Sequence, residues 1–363
     1  MKILEVIPSF EPLGGAQNFV FYLAVSMKAK GHDVSIISLY PNVNQYIAES
    51  LKSKGIALTY LGKSKGIDIK TSRAFEKAVG KLKPDIVHMH LNTYVTCLPQ
   101  ILKRTEKYIY TFHTYIDGRT YGSKRSLRNR LIKWLIKHNY MHPVTISKAV
   151  DDSFKDFFGN CESSIIYNGI DLTKFQYRPK TSIKYDFISV GSFNDIKNNL
   201  FMIQCVEKLI QAGKNVQYVI LGEGKNYDLC KKYCLEKDLT SNVHLLGKVN
   251  NVEQYLSESG CLLLASHWEG NPLVVNEAIA SGVWVIANRV GGVIDIVNDT
   301  NGYLSKPESQ DDFIDKMDLY LASKEDIRKN LIPTTIDENR AKVSLATTSD
   351  QYLKLMTKIS EAF

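Results

Sequence analysis

Short runs of β-branched and aliphatic residues alternate along this chain with longer stretches in which apolar residues recur every three or four positions. The first three segments are KILEVI at 2–7, an amphipathic stretch at 16–29 and DVSIISLY at 33–40. A continuous apolar run suits a parallel strand covered on both faces, and a helical segment between two such runs supplies the crossover. The pattern therefore predicts βαβ units. Further strands are predicted at 57–61, 85–89, 108–112, 143–146 and 164–167, enough for one doubly wound sheet. Polar, irregular text near 171–182, with Pro179 inside it, separates this half from a second series that opens at 186–190. That series continues with QYVILG, VHLLG, CLLLA and VWVIA. The expected fold class is α/β, with two Rossmann-like doubly wound domains facing a cleft, residues 1–176 and 177–343. Residues 344–363 carry a last helical pattern through Leu345, Tyr352, Leu353, Leu355 and Met356, predicted to cross back and pack on the N-terminal domain.

Composition narrows the picture. A length of 363 residues fits two domains at roughly 100–200 residues each. With 44% hydrophobic and 23% charged residues the chain can build sizeable cores, which excludes disordered and coiled-coil classes. The six cysteines, at 97, 161, 205, 230, 234 and 261, contain no C-x2-C pair and read as reduced thiols in a cytoplasmic protein. Glu5 and Pro8 interrupt the apolar start, so residues 1–10 read as a buried strand rather than a signal peptide. No run of eighteen apolar residues occurs that would span a membrane. The net charge of +8 calls for an anionic partner: a phosphorylated ligand, a nucleic acid or a membrane surface. No nucleic-acid motif or interleaved aromatic platform accompanies the charge, which removes nucleic acid.

Ligands of open α/β sheets bind outside the carboxyl ends of the strands, so chemistry is sought in the loops that follow them. After the first strand, Gly14 and Gly15 open a helix whose free N–H groups suit a phosphate, although a glycine pair is also what a tight turn needs. The loop is not G-x-G-x-x-G, which argues against a nicotinamide cofactor. No cofactor of any kind is expected. The most informative stretch is SHWEGNPLVVNEA at 266–278, following CLLLA. Glu269 falls in its loop and Glu277 in the ensuing helix. Gly270 allows close backbone approach beside Asn271, Pro272 suits a first helical turn, and the N–H groups of Leu273 and Val274 are free to receive a phosphate. A solvated surface loop is the competing reading, and Val274 and Val275 strain it because they make the helix apolar on more than one face. His113 closes the strand 108–112 and points out of the sheet end. His88 and His90, in VHMH, share one face of a strand, but no third ligand stands near them in sequence, so no metal is expected there; His90 is assigned to the acceptor side. The chain has no Asp-x-Asp, so a cation bridging a diphosphate is not indicated.

Residues 266–297, SHWEGNPLVVNEAIASGVWVIANRVGGVIDIV, resemble the donor-site segment of retaining glycosyltransferases of family 4, which have the GT-B fold, with Glu269 and Glu277 as their E-x7-E signature. The similarity extends to GGAQNFVFYLAVSMKAKGHDVSII, the first phosphate loop and helix, to IIYNGIDLTKF between the domains, and to VGSFNDIKNN at the donor-domain opening. The resemblance implies a nucleoside-diphosphate sugar as donor and a glycan or lipid-linked acceptor, in bacterial surface-polysaccharide assembly. It implies that Glu269 contacts hydroxyls of the transferred hexosyl or N-acetylhexosaminyl group, that Glu277 accepts hydrogen bonds from the ribose, and that the amides of Leu273 and Val274 hold the diphosphate, with Gly15 touching it from the other domain. Lys197 matches the lysine that neutralises the leaving diphosphate, and His113 a histidine near the anomeric carbon. One departure stands out. The family often has an arginine after the glycine of the strand FISVG, and here the position is Ser192, with Arg289 as a candidate substitute. Two further readings compete: a non-hydrolysing nucleotide-sugar 2-epimerase, against which the E-x7-E segment argues, and an inactive nucleotide-sugar-binding module, for which Ser192 is the hint.

The basic charge has a candidate location. Residues 124–140, KRSLRNRLIKWLIKHNY, place Leu127, Leu131, Trp134 and Leu135 on one helical face and Arg130, Lys133 and Lys137 on another, with Arg119 in the preceding loop. The apolar stripe is expected to pack on the sheet, and the basic face to dock peripherally on an anionic membrane.

Overall fold

The computed structural model describes every residue except 13, 67, 119, 120, 181, 362 and 363. Two compact units emerge: Met1–Gly169 with Leu345–Phe363, and Ile170–Ser344. The first change of unit therefore falls at 169/170 rather than 176/177. Residues 170–176 belong with the second unit because Ile170 bridges to Ser344, Phe175 is buried in that unit's core, and the Arg340 guanidinium donates to the carbonyls of Leu172 and Phe175, at 3.1 and 2.7 Å.

The first unit holds β1 (Lys2–Ile7), β2 (Asp33–Ser38), β3 (Ala57–Tyr60), β4 (Ile86–His90), β5 (Lys107–Phe112), β6 (His142–Thr145) and β7 (Ser164–Ile165), in the order β3-β2-β1-β4-β5-β6-β7. All pairings are parallel, and the order reverses between β1 and β4. Along β1 the residues alternate between two cores. Leu4 and Val6 join Val87, Tyr110, Phe112 and Phe154 on one side, while Ile3 and Ile7 join Phe19, Leu23 and Tyr352 on the other. The second side is covered by helices Gly15–Ala29 and Leu345–Glu361. Lys30 and Asp350 form an ion pair there, and Thr348 donates its hydroxyl to the Tyr167 carbonyl at 2.9 Å.

The second unit holds β8 (Tyr185–Val190), β9 (Tyr218–Leu221), β10 (Val243–Gly247), β11 (Ser259–Leu264), β12 (Trp284–Asn288) and β13 (Gly302–Ser305), in the order β10-β9-β8-β11-β12-β13, again parallel, with its reversal between β8 and β11. Strand β11 is buried at every position, as the unbroken apolar run requires. Cores on the two faces are built around Phe187, Leu263, Trp284 and Tyr320, and around Ile188, Leu262, Val285 and Ile279. Each sheet thus carries one switch point, and open parallel sheets bind ligands outside the carboxyl ends of the strands flanking it.

Candidate functional site

In the second unit, the two loops leaving β8 and β11 are sewn together at the switch point. The backbone N–H of His267 donates to the Ile196 carbonyl at 2.9 Å, and the Lys197 N–H to Asn194 Oδ1 at 2.9 Å. These bonds bring Lys197 Nζ to within 2.5 Å of Glu269 Oε1, which also accepts the Ser266 hydroxyl at 2.7 Å. Glu269 is only 8% exposed, so its charge needs both partners. The loop has no spare room. Gly291 has φ +47°, and a Cβ there would lie 1.9 Å from the Glu269 carbonyl oxygen, which also accepts the Gly292 N–H.

The helix after this loop is Leu273–Ala280, capped by Pro272 in extended conformation with no side-chain cap. Pro272 therefore stands one position before the first turn that the sequence assigned to it. Its carbonyl receives the N–H of Val275, which leaves the Leu273 and Val274 N–H groups outside the helical ladder, aimed along the positive end of the helix dipole. Gly270, Asn271 and Pro272 are buried beneath this helix head, and Asn276 Nδ2 donates to Asn271 Oδ1 at 3.1 Å. Glu277 lies on the same helix. Burial raises its carboxyl to about 7, the Lys174 charge opposing and that of Glu253 reinforcing the rise. Ser192 and Arg289 are both exposed, and among the described residues Arg289 makes no ion pair with this loop.

The first unit has its own polar cluster at its switch point. Glu5 of β1 and His88 of β4 are register partners, and His90 lies two residues further along the same face. Glu5, His88 and His90 are all fully buried. Glu5 Oε2 is 3.1 Å from His88 Nδ1 and 2.7 Å from His90 Nε2. His88 Nε2 meets Thr111 Oγ1 at 2.8 Å, Thr111 meets the Tyr352 hydroxyl at 3.0 Å, and His90 Nδ1 meets His113 Nε2 at 2.8 Å. Burial alone would raise Glu5, but the His88 charge and the hydrogen bonds from both histidines hold it down to about 2. Burial and the His88 charge lower His90 to about 4 against the pull of Glu5, and burial with the two neighbouring histidines pushes His113 well below its ordinary value. Sequence reading took Glu5 only as an interruption and saw no third ligand beside His88 and His90. Glu5 is that third group, with ligand-capable atoms within 4.8 Å of one another. Its signal was an acidic residue inside a strand otherwise buried on both faces, which must be paired. A metal there would displace close hydrogen bonds: all four ring nitrogens of His88 and His90 face protein partners.

Gly15 begins helix Gly15–Ala29 with Gly14 as its cap, so the loop after β1 also ends in a helix head without a side-chain cap. Leu13 of that loop lies outside the described residues. A cavity of about 470 Å³, lined by Arg104, Lys107, Tyr108 and Lys137, opens at the amino ends of β5 and β6, the wrong end of the sheet for this chemistry.

The basic segment folds differently from its helical-wheel reading. Ser126 caps helix Leu127–Lys137, whose buried residues are Asn129, Ile132, Leu135 and Ile136. Leu127 and Trp134, assigned to the inner stripe, are 82% and 42% exposed instead. The helix turns so that Asn129 can donate to the carbonyls of Tyr121 and Ser123, which places Leu127 and Trp134 outside alongside exposed Arg130, Lys133 and Lys137. Arg128 is committed to the fold through the Tyr121 carbonyl, and Arg119 lies outside the described residues. Among the described residues no helix is long and apolar enough to cross a membrane.

Comparison with known proteins agrees with this geometry. Residues 13–174 match the family model described as Glycosyltransferase Family 4, and residues 173–337 the model described as Glycosyl transferases group 1. The N-acetyl-alpha-D-glucosaminyl L-malate synthase of Bacillus anthracis is 23% identical over 360 residues, covering 91% of this chain and 90% of that protein. The UDP-Gal:alpha-D-GlcNAc-diphosphoundecaprenol alpha-1,3-galactosyltransferase of Escherichia coli is 27% identical, covering 69% and 70%. Among solved structures, HepE of Anabaena in complex with UDP and glucose has a TM-score of 0.82 at 16% identity over 99% of this chain and 100% of that one. Two tandem parallel-sheet units, with the two family models together matching residues 13–337, make this chain a GT-B glycosyltransferase of family 4.

Proposed function

We propose that the protein moves a hexosyl or N-acetylhexosaminyl group from a nucleoside-diphosphate sugar to a glycan or lipid-linked acceptor in surface-polysaccharide assembly, with retention of the donor's configuration and without a metal. The observation that carries this reading is the Lys197–Glu269 pair beside the uncapped head of helix Leu273–Ala280. Cleaving the bond from the anomeric carbon to the diphosphate builds charge on the leaving oxygens. The Leu273 and Val274 amides and the Lys197 ammonium stabilise that charge more in the transition state than before it. Lys197 would exchange part of its hold on Glu269 for the diphosphate, which frees a Glu269 oxygen for sugar hydroxyls. Glu277 takes the ribose. The acceptor oxygen bonds to the anomeric carbon on the face the diphosphate leaves, and the leaving phosphate takes its proton. His113, with His90 behind it, serves the acceptor side.

The relatives support the substrate class: one is named for a UDP-galactose donor and a diphosphoundecaprenol-linked acceptor, and another, CapH of Staphylococcus aureus, for capsular polysaccharide biosynthesis. An exposed tryptophan and leucine beside three cations suit peripheral docking on an anionic membrane, where such an acceptor would reside. The test is incubation with a panel of sugar nucleotides and a lipid-linked acceptor. Glycosylated acceptor formed together with nucleoside diphosphate is expected. Donor binding with no transfer to any acceptor would favour the inactive binding module that Ser192 suggests.

A further inference from the structure

The Glu5–His90–His113 chain fixes a proton inventory. An ionised carboxylate only accepts hydrogen bonds, so the ring nitrogens facing Glu5, His90 Nε2 at 2.7 Å and His88 Nδ1 at 3.1 Å, must both carry hydrogen. His90 is buried where a second proton is disfavoured, which leaves its Nδ1 with a lone pair. That lone pair is 2.8 Å from His113 Nε2, so His113 must donate there. The opposite assignment would turn a His90 lone pair against the Glu5 carboxylate. The rings are packed as well: Phe19 stands edge-on to His113 at 5.6 Å and Tyr352 packs on His88 at 5.0 Å.

We propose that Glu5, acting through His90, is a positioning residue that fixes His113 as its Nε2–H tautomer and so makes His113 Nδ1 an acceptor for a sugar hydroxyl. The proposal rests on the glycosyltransferase reading for its substrate and on geometry for its tautomer. It assigns His113 to receiving a hydrogen bond rather than to giving a proton. This agrees with a leaving phosphate that takes the acceptor proton, and it makes a fully buried strand residue part of the reaction's apparatus.

The test is a long-range proton–nitrogen correlation spectrum of the protein labelled with nitrogen-15 in histidine, with His113 assigned by its loss in His113→Gln. The wild type should show the Nε2–H tautomer at neutral pH, and an Nδ1–H form or an even mixture would overturn the proposal without any variant being needed. In Glu5→Gln the amide can donate to His90 Nε2 and invert the chain, so His113 should shift toward Nδ1–H. kcat should then fall about tenfold or more while the donor Kd stays within about twofold. His90→Phe gives a second route should Glu5→Gln fail to fold, because it removes the lone pair that selects the tautomer. An unchanged Nε2–H tautomer in both variants would overturn the role of Glu5. Failure of the glycosyltransferase reading would look different, as absence of donor binding and transfer in the wild type with the tautomer intact.

Discussion

If Glu277 grips the donor ribose, donor affinity must depend on pH in a way that Glu277 alone controls. Burial raises its carboxyl from 4.5 to about 7. Ribose hydroxyls donate hydrogen bonds, so the ionised carboxylate is the binding form. With a pKa of about 7 the ionised fraction rises from about one in eleven at pH 6 to about ten in eleven at pH 8. Donor affinity should therefore rise about tenfold across that window, or roughly 1.4 kcal/mol. The residue is half-buried overall, so this is an upper figure. The same shift acts on stability with a defined sign. A raised carboxyl pKa favours the folded state fully below about 4.5, and that advantage is lost as pH rises through about 7. Calorimetric titration with a sugar nucleotide, whose pyrophosphate diester does not titrate in this range, would read the affinity. Glu277→Gln should bind more weakly than the wild type at pH 8 and show a flat profile from pH 6 to 8. A flat wild-type profile, or a slope that survives in Glu277→Gln, would refute the reasoning.

Gly291→Ala should cost turnover and donor affinity together, because a Cβ 1.9 Å from the Glu269 carbonyl oxygen must push the Glu269 loop away from Lys197; steady-state kinetics and calorimetry on a folded variant check this, and near wild-type values would contradict the packing. Co-sedimentation with anionic vesicles should show binding that weakens with salt, each Lys or Arg near the surface adding about 1 kcal/mol. Trp134→Ala and the triple change of Arg130, Lys133 and Lys137 to glutamine should each reduce it, and native protein left in the supernatant at low salt would refute docking.

How much of this was legible in the sequence depends on what each residue had to satisfy. Long apolar runs such as CLLLA could only be buried parallel strands, and β11 sits there. β13, Gly302–Ser305, escaped notice because GYLS is short, half-polar and lies at the sheet edge, where burial demands little of the sequence. Glu269 and Glu277 stand out in the sequence because their segment follows a strand, and Lys197 through the family resemblance, but the Lys197–Glu269 pair was not legible, since the two are far apart in sequence and the loops that carry them are joined by the bond from His267 to Ile196. Glu5 illustrates the reverse: a single charge in a run of apolar residues looks like noise until the register sets it opposite His88. The 127–137 helix was misturned because counting apolar residues favours Leu127 and Trp134, whereas the hydrogen bonds of Asn129 decide which face goes inward.

The central claim is that fixed amides and Lys197 stand in for a metal while the donor's configuration is kept. The most direct test is to run the transfer with excess EDTA and follow the first product formed by proton NMR at the anomeric position. The account predicts an α-linked product from an α-configured sugar nucleotide, at a rate unchanged by the chelator. A β-linked product, or activity abolished by EDTA and restored by magnesium or manganese, would contradict it.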